Sequence, residues 1–159
     1  MKLKNVRAAI SCLPILGVFD VVSTLYVSSL GYPLEKIEVG FLASFFARKG
    51  LLYLYIPVYM LILCLAALFM LYVEKSLDYN LLIDRIVLIL LVGAVCTVDS
   101  TLISTIISNL AVSLQIQMSR FILLKNMTFV TAFIAIFLFL FNDLKMAIKT
   151  KSLKNSVLN

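Results

Sequence analysis

The chain has no histidine and no tryptophan, only three prolines and five glycines, and charged residues fill just 14% of its 159 positions. Lack of histidine removes the commonest metal ligand and the commonest general acid–base group together. Three cysteines are present, and Cys12, Cys64 and Cys96 each lie in a different apolar stretch with no close pair. That pattern reads as small buried side chains and supports neither a zinc site nor a disulfide framework. No glycine-rich phosphate loop, serine triad or Cys-x-x-Cys pair occurs. The expectation is therefore a non-enzyme that holds no cofactor and no metal.

What abounds is apolar surface, at 63% hydrophobic residues and a mean hydropathy of +1.10. A soluble domain of this length has too little polar surface to cover so many apolar side chains, so lipid must cover them. The fold class expected is all-α: an integral membrane four-helix bundle forming one domain over residues 1–159. Net charge is +6, but the basic residues sit at the two chain ends and in short connections. Topology and anionic lipid explain that placement better than nucleic acid does.

Four spans are predicted, over about 8–30, 51–73, 86–112 and 126–142. The second is the clearest, since Leu51 to Val73 carries no charge and extends about 34 Å as a helix. Tyr53, Tyr55 and Tyr72 near its ends suit an aromatic belt. The opening Met1 to Arg7 is basic like a signal peptide, yet the apolar stretch behind it is too long for a signal core, so a retained span is expected. Between spans 1 and 2, Leu34, Ile37, Phe41, Leu42 and Phe45 recur at helical spacing among Glu35, Lys36, Glu38, Arg48 and Lys49. This predicts an interfacial amphipathic helix over 34–49, the alternative being a long second helix that begins outside the bilayer. Counting Lys and Arg gives nine residues on the side of the termini against five on the other. That bias puts both termini in the cytoplasm of a cell-membrane protein, with a basic tail over 143–159.

Acids at bilayer depth are the unusual residues. An ionised carboxylate there costs about 2.5–3.5 kcal/mol on insertion scales, so Asp20 and Asp99 are candidates for function. In span 1, Gly17, Asp20, Ser23, Thr24, Ser28 and Gly31 fall on one side, while Ile15, Val18, Val22 and Leu25 would face lipid. Small residues at such spacing admit a neighbouring helix, and hydroxyls can bond a carboxyl. Span 1 is only marginally apolar once Asp20 and Pro14 are counted, so it needs partners. Span 3 carries a hydroxyl stripe, Gly93, Thr97, Ser100, Ser104 and Ser108, with Thr101 beside it. At 100° per residue Asp99 points away from that stripe, toward Cys96 and Ile103, so span 3 is expected to meet two neighbours. Asp20, Asp99, Ser23, Thr24 and Ser100 are the candidate ion or proton site. Gly17, Ser28, Gly93, Thr97, Ser104 and Ser108 are the helix-packing candidates. Spans 1 and 3 run parallel, which would bring the two acids to similar depth, with no Lys or Arg deep in a span to neutralise them. Both acids bonded to nearby hydroxyls as neutral packing contacts is the plainer reading. In span 4, Phe129, Phe133, Phe137 and Phe141 form a lipid-facing or packing ridge, with Thr128, Thr131, Ala132 and Ala135 opposite.

Asp20, Thr24, Gly31 and Glu38, taken in order, resemble a pattern in a family of uncharacterised small polytopic membrane proteins of prokaryotes. That family looks like Asp-x-x-x-Thr in the first span, then Gly, then Glu-x-Asn-Pro before the second. Here Val39-Gly40-Phe41 stands in place of the Asn-Pro part, and span 2 lacks a lysine that relatives often carry. The resemblance covers the first third of the chain and implies a multi-span bundle. Three functional classes are open to such a chain. One is a small proton- or cation-coupled transporter acting as an oligomer. Another is a structural or accessory subunit of a larger membrane complex. A third, an intramembrane aspartyl protease, has Gly17-Val-Phe-Asp20 in its favour, but it lacks a Pro-Ala-Leu motif and its acids belong on consecutive helices.

Overall fold

In a computed structural model, the described residues (3–31, 45–46, 49, 51–78, 81–114 and 118–157) are helical apart from short turns. Four helices follow one another: α1, Lys4–Ser29; α2, Leu52–Ser76; α3, Leu82–Ser113; and α4, Met118–Val157. Each contains a stretch long and apolar enough to cross a membrane. The expected interfacial helix over 34–49 lies outside the described residues except for Phe45, Phe46 and Lys49.

The helices overrun the predicted spans because backbone hydrogen bonding continues past the apolar stretch. The extreme case is α4, whose 40 residues extend about 60 Å, twice a hydrocarbon core. Helix α1 closes at Gly31, whose φ of +88° is the left-handed conformation that ends helices and suits glycine. Its N–H donates to the Ser28 carbonyl (3.0 Å). Between α2 and α3 the chain turns through Asp78, whose N–H donates to Asp84 Oδ2 (2.6 Å). The Asp84 carboxylate also lies in the first turn of α3, where the helix dipole favours negative charge.

Across the bundle the order is α2–α1–α3–α4, with α1 touching α4 as well and α2 barely meeting α3. In their spanning stretches 44% of residues are buried in α1 and in α3, against 11% in α2 and 6% in α4. Helices α1 and α3 are thus the centre of the protein and α2 and α4 its flanks. The apolar core gathers at one end, where Val6, Ile10 and Leu13 of α1 meet Leu88, Val92 and Val95 of α3 and Leu140 and Leu144 of α4.

Arg7 Nε pairs with Glu74 Oε2 at 2.7 Å, and Asn5 Nδ2 donates to the Phe139 carbonyl at 3.0 Å. The start of α1 therefore lies beside the end of α2 and the later part of α4. Helix α1 has no cap from its own Leu3. Asp143 of α4 supplies one instead, its Oδ2 accepting from the N–H groups of Asn5 (2.8 Å) and Val6 (3.2 Å). These are the N2 and N3 donors that a helix's own cap residue ordinarily satisfies.

Several expectations need correction. Cys12 is exposed, with only Cys96 fully buried. On α4 the surface that turns inward is Ile136, Leu140, Asp143, Leu144 and Ala147, joined by Phe133, whereas Thr131 and Ala135 face out. Phe129, Phe133, Phe137 and Phe141 follow one another with ring centroids 5.9–6.5 Å apart, the middle pair stacked and the outer two pairs tilted. They pass from half-buried to exposed along the helix. Lipid is as apolar as leucine, so sequence pattern alone does not separate a packing face from a lipid face.

Candidate functional site

The two acids of the spans are buried, Asp20 at 7% and Asp99 at 3% exposure. Spacing by three and four does carry Gly17, Asp20, Ser23 and Thr24 into the interior of α1, while Ile15, Val18, Val22 and Leu25 are exposed. Ser28 is half-buried and Gly31 exposed. At Gly17 the helices come close, since a Cβ there would overlap Leu63 Cδ1 of α2.

Asp20 is served by two other helices. Tyr59 of α2 donates its hydroxyl to Asp20 Oδ2 at 2.9 Å, and Lys125 of α4 is near enough for its charge to act on the carboxylate. Asp20 Oδ1 is buried and has no hydrogen-bond partner among the described residues. Nearby, Asn109 of α3 donates through Nδ2 to both Ser23 Oγ and Thr24 Oγ1, each at 3.0 Å. Ser23 Oγ in turn donates to the Asp20 carbonyl (2.9 Å).

Asp99 stands apart from this network. No hydrogen bond to its side chain is found among the described residues, and its Oδ1 is buried without a partner. Cys96, one turn earlier on the same helix, is fully buried. Helix α3 does meet two neighbours, α1 and α4. Its hydroxyl stripe divides between inside and outside. Ser100, Ser104 and Ser108 are buried, and the hydroxyls of Ser100 and Ser108 find no partner among the described residues. Thr97 and Thr101 face outward, returning their hydroxyls to the Gly93 and Thr97 carbonyls (2.9 and 2.8 Å). Nothing packs within 4 Å of where a Gly93 side chain would be, so Gly93 and Thr97 are not contacts within the bundle.

The contact of Asn109 with Ser23 and Thr24 fixes the register of α1 on α3, and that register separates the acids. Asp99 lies ten residues before Asn109, and Asp20 three to four before its serine and threonine. On parallel helices the difference is about 10 Å along the axis. The acids are therefore not at one depth, and Ser100 and Ser104 fall between their levels. A proton-sharing aspartic dyad needs carboxylates about 3 Å apart, roughly a third of this offset.

Sequence pattern gives no hint of Tyr59, whose ring reads as one more apolar residue of span 2. Asn109 had a signal, being the one amide within 86–112. Lys125 did not, because it falls in what reads as a connection. No family model, no curated protein and no solved structure matches the chain.

Proposed function

We propose that this chain is a small multi-pass protein of the cell membrane that conducts protons or small cations, acting as an oligomer with both termini in the cytoplasm. The observation that carries this reading is Asp99, a carboxyl of α3 that is buried and has no hydrogen bond among the described residues. Glue between helices is made of satisfied groups, as Asn109 is, whereas a carboxyl left without a donor costs stability and is kept for another use. Taking the Arg7–Glu74 layer as one edge of a hydrocarbon core about 30 Å thick, Asp99 lies about a third and Asp20 about two thirds of the way across. Two acids at successive depths, with Ser100 and Ser104 at heights between them, suit stepwise transfer better than a single shared site.

The test is flux in vesicles holding the purified full chain, under an imposed pH or sodium gradient read by an entrapped indicator. Asp99→Asn should bring flux down to that of protein-free vesicles, while Ser28→Ala leaves it intact. Flux equal in Asp99→Asn and the unaltered chain defeats the proposal.

A second reading, an accessory subunit of a larger membrane complex, draws on the outward strip of Gly93, Thr97 and Thr101. Small residues whose hydroxyls are already bonded to their own helix let another helix approach closely. Purification in mild detergent distinguishes the two: a different chain recovered in fixed ratio supports the subunit, and self-association alone supports the transporter.

A further inference from the structure

Beside Asp20 the structure carries a feature that the proton path does not use. Phe46, Tyr55 and Tyr59 form a column of rings, with centroids 6.2 Å apart for Phe46 and Tyr55 and 5.4 Å for the stacked Tyr55 and Tyr59. The column starts in the segment before α2 and ends at the Tyr59 hydroxyl on Asp20 Oδ2. Tyr55 and Tyr59 are half-buried, so the rings border the surface along the seam between α1 and α2. Asp20, more than nine-tenths buried, closes the far end with Oδ1 unpartnered. We propose that this column and Asp20 bind an organic ammonium ion with apolar substituents, its charge on Asp20 Oδ1 and its alkyl groups against the tyrosine rings.

The chemistry of the lining selects that class. Hard metal cations require six or more oxygen ligands, and here a single carboxylate oxygen is open. Among the described residues no three Asp, Glu or Cys side chains converge. Aromatic faces, by contrast, attract weakly hydrated alkylammonium ions, which surrender little on leaving water. Helix α2 packs almost wholly on α1, so such an ion, already concentrated at the bilayer, can reach the seam from the side.

The experiment is calorimetric titration of tetrabutylammonium into the full chain in uncharged detergent micelles, with empty micelles subtracted. The chain has no tryptophan, so tyrosine fluorescence gives a second readout. Asp20→Asn should abolish saturable binding, and Tyr59→Leu should weaken it about three- to thirtyfold. Tyr59→Phe keeps the ring and should cost less than Tyr59→Leu, which separates the aromatic contact from the lost hydroxyl. Asp99→Asn should bind normally, so failure of the proton path and failure of this site are distinguishable. Equal binding by Asp20→Asn, equal binding by Tyr59→Leu, or displacement by sodium at equal concentration overturns the proposal.

Discussion

Replacing Asp143 with alanine should destabilise the protein from its opposite end, through the first turn of α1. The Asp143 carboxylate, 3% exposed, accepts from two consecutive amides, those of Asn5 and Val6. Loss of an ordinary N-cap costs about 0.5–2 kcal/mol. Here the acceptor is charged and faces the positive end of a helix dipole, and the Val6 amide would be left buried without an acceptor. These contributions overlap, so the expected loss for Asp143→Ala is about 2–3 kcal/mol. Asp143→Asn retains an acceptor oxygen without the charge and should cost about 1 kcal/mol. Lys145→Ala, exposed one turn of side chains away, should stay within about 0.5 kcal/mol of the unaltered chain. The assay is reversible unfolding in mixed micelles followed by circular dichroism, with hydrogen exchange at Asn5 and Val6 as the local readout. Unchanged unfolding together with unchanged exchange at those two amides would refute the trans-cap.

Two more outcomes are expected on the same assay. Arg7→Ala removes the ion pair to the Glu74 carboxylate, 2% exposed, and should cost about 1–3 kcal/mol, with the Arg7→Ala/Glu74→Gln pair recovering part of it; a double variant weaker than the single one would count against the ion pair as drawn. The two helix glycines should behave oppositely: Gly17→Ala drives a methyl into Leu63 and destabilises by about 1–3 kcal/mol, whereas Gly93→Ala meets nothing and should gain about 0.5–1 kcal/mol in helix propensity.

Features set by local period were legible in the sequence. The apolar runs mark all four helices, and the three- and four-residue spacing of Gly17, Asp20, Ser23 and Thr24 identifies the inner face of α1. Helix ends were not legible, because the hydrogen-bond ladder of α4 continues through polar positions that end the apolar run. Pairings across the bundle were hidden for a different reason. Nothing in the pattern says that α1 sits between α2 and α3, so Tyr59, Asn109 and Lys125 could not be assigned to Asp20 and its neighbours. The supposed common depth of the acids failed on the same point, since it assumed that spans 1 and 3 start level. Their real stagger is set by one amide, Asn109, against two hydroxyls.

The cap on α1 also has an order in time. Residues of α1 leave the ribosome more than a hundred positions before Asp143 is made. Until then the first helix, already burdened by Asp20, holds its leading amides without their eventual acceptor. Its docking is completed only when the fourth helix is in place and has turned its buried carboxylate toward it. Assembly of this protein is accordingly gated from its far end: a chain arrested after α3 would carry a first helix whose Asn5 and Val6 amides lack the Asp143 acceptor.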